Sequence, residues 1–433
     1  MLVVLLPIGL MAQGAPAGGE MAVYGSAVAT PLMFQNEVRP TNEMSFRLGI
    51  SALDDDNVLG SNNARITDEA LSINSQLDVS RKTPNVMIDF NYQPFYLLYR
   101  QYDQLDRLNH AGTLNMKFRL GSHILLGLHD ALSYQNGVYP ALTGQQNVAG
   151  APLPSALNTF LYSPTLRSLS NTPGLDLTFV KSSRTSLTLS GNFLQRKFSA
   201  QAGAGQPLYN DTGLSGGLQY QYRMTIHTTF GLLLQYQDST YEGLGGLLIR
   251  QRSQVASTIV SVDSRLSPTV SVSVFGGPQY LKTLGQTLSG NIAPGRVAGS
   301  GGGSITKEVR STAVNLAVQR AITDGGGIFT SVVNTNVSFG IRRRLVGRWQ
   351  ASWNGSLAAE DATLLQLGNG KADTASSGVD FTRPLGREGT NFRISYSTIH
   401  QITKGNLPSL LNFDRNQVTI AFEYQLKAIP FGR

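Results

Sequence analysis

Two nested periods constrain this chain more than any other feature. From Met44 onward apolar residues recur at every second position, segment after segment, and the connections between segments alternate between short and long. Leu71, Ile73, Leu77 and Val79 alternate with Ser72, Asn74, Gln76 and Asp78, and Leu114, Met116, Phe118 and Leu120 with Thr113, Asn115, Lys117 and Arg119. Near the end, Val418, Ile420, Phe422, Tyr424 and Leu426 alternate with Thr419, Ala421, Glu423, Gln425 and Lys427. Period two marks a strand with one apolar and one polar face, and no helical period competes over any long stretch. The short connections fall at 80–85, 120–123, 181–186, 225–228, 265–269, 308–312 and 343–348. Longer ones rich in Gly, Asn, Asp and Pro lie between them at 54–69, 100–109, 135–172, 199–212, 239–253, 282–300, 360–373 and 401–415, with a brief one near 323–327.

A soluble sandwich has no reason to place its long loops at every other connection. A transmembrane barrel does, with short periplasmic turns and long extracellular loops. Closure also removes the unpaired edges that an open sheet would present to lipid. The predicted fold class is therefore all-β: a single large antiparallel up-and-down transmembrane β-barrel of about 18 strands, with 16 the alternative count. Its lumen would be too wide for side chains to fill, which permits a polar inner face. Three places fit poorly. Residues 254–264 are apolar on both faces, and 299–304, GSGGGS, read as a flexible loop or strand edge. Asp130 shares the lipid-side parity of Ile124, Leu126, Leu128 and Leu132, which predicts a position at the rim or beyond a β-bulge. Tyr96, Tyr99, Tyr134, Tyr220, Tyr222, Trp349, Trp353 and Tyr424 are candidates for interfacial girdles.

Composition agrees. Charged residues make up only 14% and hydrophobic ones 41%, with 46 glycines, and no apolar run past the first residues reaches the length of a spanning helix. The absence of cysteine excludes disulfides and thiolate chemistry, and a net charge of +8 without a dense basic block gives no sign of nucleic-acid binding. Residues 1–15 read as a signal peptide, with Ala12, Gly14 and Ala15 as cleavage candidates, 16–43 as a linker and 44–433 as the barrel.

The five histidines show no metal-ligand spacing, so the chain reads as a non-enzyme without catalytic residues or cofactor. Asp54, Asp55 and Asp56 form a candidate Ca²⁺ site, against the reading of a solvated acidic loop. The densest basic cluster, IRRRLVGRW at 341–349, reads as a turn at the membrane edge. Strand parity places Arg47, Lys117, Arg119, Arg196, Arg223, Arg342, Arg393 and Lys427 in the lumen, against Asp78, Asp89, Glu308 and Glu423. That bias predicts a mild preference for anions, since charge rings set pore selectivity. On the closing strand, Val418, Ile420, Phe422, Tyr424 and Leu426 are predicted to face lipid, and the strand to pair with the first, around Met44 to Leu53.

The stretch from "FRLGISALDDDNVLGSNN" through an "LDVS" strand, a Tyr-rich strand and "LHDALSYQNG", followed by "LSPTVSVSVFGG" and the last strand, resembles Gram-negative outer-membrane β-barrels of porin type. More narrowly, it resembles the barrels associated with exopolysaccharide export. The resemblance implies an outer-membrane location, outer-membrane lipid and the barrel-assembly machinery as partners, and polysaccharide-export components as further ones. It implies a channel for small or polymeric, anionic saccharide solutes. The alternatives are a structural or adhesion barrel that binds through its loops, and a barrel enzyme acting on lipid.

Overall fold

The structure is a computed structural model. It describes residues 41–431 apart from 61, 63–64, 139–162, 201–208, 244–249, 286–294, 326–328, 363–369, 387–388 and 405–411. The expected signal peptide and nearly all of the expected linker lie outside the described residues.

Twenty strand segments form one antiparallel sheet. They are β1 (Thr41–Asp55), β2 (Asp68–Lys82), β3 (Val86–Tyr99), β4 (Arg107–Arg119), β5 (Ile124–Val138), β6 (Ser163–Asn171), β7 (Gly174–Ser182), β8 (Thr185–Ala200), β9 (Tyr209–Arg223) and β10 (Thr228–Gly243). The chain continues with β11 (Arg250–Ser267), β12 (Val270–Gly285), β13 (Arg296–Val309), β14 (Thr312–Gly325), β15 (Phe329–Arg344), β16 (Gln350–Ala362), β17 (Lys371–Leu385), β18 (Thr390–Lys404), β19 (Phe413–Gln425) and β20 (Ile429–Pro430). Apart from β6 with β7 and β19 with β20, each strand pairs with its sequence neighbour, and β19 returns to β1 from Arg47↔Gln425 to Asp55↔Gln417, so the sheet is closed. β20 prolongs that seam along β1 through Met44↔Ile429.

The barrel has eighteen staves, because β6 and β7 are two halves of one, both paired to β5 and β8, and β20 merely extends β19. Pro173 breaks the sixth stave, having no N–H to give the ladder. The neighbouring strands bridge the gap: Thr172 N–H donates to the Ala131 carbonyl at 2.9 Å, and Phe193 N–H to that of Pro173 at 2.9 Å. The predicted long loop 135–172 thus ends early. Its last residues alternate Leu166, Ser168, Leu169 and Ser170 too irregularly to show period two, yet they pair with β5 and β8. Strands run up to 18 residues, well past what a tilted bilayer crossing of about 9–11 requires. The surplus lies at the long-loop end, where the expected loops at 239–253, 282–300 and 360–373 prove to be partly strand.

The two poorly fitting segments are ordinary staves. Gly299 to Gly303 lie inside β13 and are paired on one side to β12 throughout. Gly302 is needed there: a Cβ would come within 2.8 Å of the Phe275 ring tip and strike the Val318 carbonyl. In β11 the inward apolar residues Val255 and Ile259 are covered, Ile259 together with Phe275 and Ala321, and Val255 with Leu281, Ile322 and Val333. The ends of β14 and β15 lie against the inner wall made by β11 and β12, which explains why 254–264 is apolar on both faces. The Ile322 N–H donates to the Gln279 side chain at 2.9 Å, and the Ser253 and Ser331 hydroxyls meet at 3.1 Å. Val333 is buried in this inner cluster.

Candidate functional site

The outer face is an apolar belt. Leu48, Ile50, Leu71, Ile73, Leu189, Leu218, Val262, Ile305, Leu357 and Ile394 all stand exposed at alternate positions around the whole circumference. Such a surface on a closed sheet is stable only where lipid replaces water. Val418, Ile420, Phe422, Tyr424 and Leu426 are exposed in the same way next to the seam. Trp353 meets Phe339 edge-to-face at 4.7 Å, and Tyr92 gives or accepts a hydrogen bond with His110 Nδ1 at 2.7 Å. Tyr99 departs from the expected girdle: it points inward and is buried with Leu53, Val58, Phe95 and Leu97. Asp130 sits mid-strand, not at the rim, and the β4–β5 register passes it without a bulge, as Leu114↔Asp130. The irregularity is on the other neighbour, at the Pro173 break beside it.

The inner face divides into two halves along the strands. Toward the short turns, its side chains are polar or charged, and Arg47, Lys117, Gln219, Arg223 and Arg342 are half-exposed, whereas Ser186, Ser273 and Asp380 are buried. Arg47, Lys117, Arg119, Arg223, Arg342 and Arg393 all occupy inner positions of this half by alternation. Asp78 accepts hydrogen bonds from Ser45 at 3.3 Å and from Gln76 at 3.0 Å, and Asp89 accepts one from Ser80 at 2.6 Å. Arg393 is bound to Asp380 through Nε at 2.9 Å and through a second guanidinium nitrogen, with Glu423 at 4.0 Å. Arg47, Lys117, Arg223 and Arg342 have no carboxylate partner among the described residues. Glu308 is exposed at the very end of β13, and Lys427 lies beyond β19, in the connection to β20, because the alternating pattern outlasts the ladder.

Toward the long loops, the same face is packed. Arg196 is buried opposite Asp211, and its guanidinium lies 6.0 Å from the Phe198 ring. At the seam, Arg415 and Asp55 form a fully buried ion pair, with Nε to Oδ1 at 2.9 Å. Gln417 adds a bond to Asp55 at 3.0 Å, and Asp56 takes the Asn416 N–H and side-chain amide at 2.7 Å each. Leu53, Val58, Ala70, Phe95, Leu97, Tyr99 and Leu105 form an apolar cluster beside this pair. In the aspartate cluster at 54–56 the three carboxylates do not converge: Asp55 and Asp56 spend oxygens on β19 and Arg65, while Asp54 is exposed on the opposite face. No group of three potential metal-ligating side chains converges among the described residues.

Alternation did not assign several inner carboxylates: Asp55, Asp68, Asp176, Asp211, Asp263 and Asp380. Asp55, Asp68 and Asp211 lie on segments that read as loops, so their face was undefined. With them the inner charge is closer to balance than the sequence register implied. Also missed was His129, buried on the inner wall with Nε2 at 2.8 Å from the Asn192 side-chain oxygen and Nδ1 at 3.4 Å from Asp176. Gly174 leaves the space its ring occupies. A lone histidine in an alternating strand carries no signal for this, since both partners come from staves 45 or more residues away.

A closed eighteen-stave barrel with an apolar belt outside and a polar face inside defines an outer-membrane-type transmembrane β-barrel. Among solved structures it is similar to OpdO of Pseudomonas aeruginosa, with 11% identity over 90% of this chain and 98% of that one and a TM-score of 0.44. It is similar to OccK2 (OpdF) of the same organism in complex with glucuronate, with 12% identity, coverage of 89% and 98% and a TM-score of 0.44. OccAB4 of Acinetobacter baumannii gives 12%, 90% and 98%, and 0.45. No family model and no curated protein sequence matches the chain.

Proposed function

We propose that this chain is a porin-like channel in the outer membrane of a Gram-negative bacterium, passing small polar solutes through a lumen that is open toward the short turns and narrowed toward the long loops. The observation that carries this reading is the polar inner face of the short-turn half, where Arg47, Lys117, Gln219, Arg223 and Arg342 keep part of their surface exposed. A barrel serving only as scaffold or adhesin has no need of a hydrated interior, whereas eighteen staves leave room for an aqueous path. Arg47, Lys117, Arg223 and Arg342, without carboxylate partners, support a mild preference for anions, including acidic saccharides. Asp78, Asp89 and Asp263 on the same face keep that preference modest. Single-channel recording in planar bilayers tests both parts. Discrete conductance steps with a reversal potential displaced toward the anion support them. A cation-selective reversal potential removes the anionic-solute reading, and complete silence of correctly folded barrels removes the channel itself.

A further inference from the structure

One sector of the short-turn end differs from the rest of the outer surface. Lys307, Arg310, Arg343, Arg348 and Arg383 are all exposed there, on the ends and turns of five consecutive strands from β13 to β17. Lys307 lies on the outer face between Ile305 and Val309, and Arg343 follows Phe339 and Ile341 in the outward alternation. Among the described residues, the carboxylates of the same sector, Glu308 and Asp380, are on the inner face, and Asp380 is held by Arg393. None of the five cations has a salt bridge among the described residues. Apolar side chains stand among them: Val346 is 94% exposed and Leu345 41%. Trp349 packs edge-to-face on Phe392 at 6.3 Å, with the Arg383 guanidinium 5.6 Å over its ring.

An acidic soluble protein would match the charges but would leave Leu345 and Val346 without a reason to be exposed. A membrane interface matches both, because indole rings and apolar side chains settle at headgroup depth while long basic side chains reach outward to phosphate. We propose that this sector is a binding surface for anionic phospholipid headgroups, enriching them locally in the leaflet at the short-turn end. It rests on the barrel spanning a membrane and is independent of whether the barrel conducts. Near a membrane surface each basic residue contributes roughly fivefold in local attraction, screened by salt.

The chain contains only two tryptophans, Trp349 and Trp353, and both lie in this sector. The full chain with Trp353→Phe is refolded into phosphatidylcholine vesicles containing a minor fraction of phosphatidylglycerol, with brominated acyl chains on one lipid or the other. The expected result is several-fold stronger quenching of Trp349 by brominated phosphatidylglycerol than by an equal mole fraction of brominated phosphatidylcholine, with the excess lost at high salt. Arg343→Gln, Arg348→Gln and Arg383→Gln together should abolish the excess, and the corresponding Lys substitutions should keep it. Equal quenching by both lipids in inserted wild-type barrels overturns the proposal while leaving the channel reading intact. A water-exposed Trp349 that neither brominated lipid quenches overturns it in favour of a soluble acidic partner. Failure to insert into any vesicle overturns both readings.

Discussion

The long-loop half and the short-turn half are built from the same strands, with the same outer face, yet their interiors follow opposite rules. In the first, inward side chains are buried: Phe95, Leu97, Ile259, Leu281, Phe413 and the Arg415–Asp55 pair pack like a domain core. In the second, inward side chains such as Arg47, Lys117, Gln219, Arg223 and Arg342 remain partly accessible. The difference teaches that stability and passage are assigned to different heights of one barrel. Loop residues 56–59 and the ends of β14 and β15 supply the filling, and the open half is left to solvent.

The comparison can be broken at several points, starting with the seam. Deleting 417–433 removes all nine β1–β19 pairs and should abolish assembly, seen as loss of the heat-modifiable folded band. Normal levels of folded truncated barrel would show that closure does not depend on this strand. Arg415→Ala leaves Asp55 buried and unpaired, and should cost about 3–5 kcal/mol in urea unfolding within lipid. Leu281→Ala, in the apolar filling, should cost about 2–5 kcal/mol, whereas Gln219→Ala in the open half should stay within about 0.5 kcal/mol. Equal costs at the two positions would erase the distinction between the halves. The smallest effect is expected from Arg223→Ala, which should leave stability unchanged and shift only the reversal potential toward cations.

How much of this was legible in the sequence follows from what period two encodes. Alternation reports which face meets lipid, so the belt, the stave count and the pairing of first and last strands could all be read. It is silent on what covers the other face. Tyr99 was misplaced because a side chain facing inward against folded-back chain looks the same as one facing lipid. The short connection between β17 and β18 was not among the expected turns; its signal is Gly386 and Gly389, whose positive φ of 76° and 59° no apolar pattern announces. Among the candidate residues, the face of Lys117 or Arg223 was readable from neighbours one position away. The commitments of Asp55 and Asp56 were not, since their partners lie some 360 residues later on β19.

The chain has no cysteine, so single introduced thiols report without background. The most direct test of an open inner vestibule is single-channel conductance of Lys117→Cys before and after a bulky, membrane-impermeant thiol reagent, with Leu218→Cys on the outer belt as control. The account predicts stepwise conductance that falls sharply on modification of Lys117→Cys and is unchanged in Leu218→Cys. Unaltered conductance in the modified Lys117→Cys barrel would contradict it.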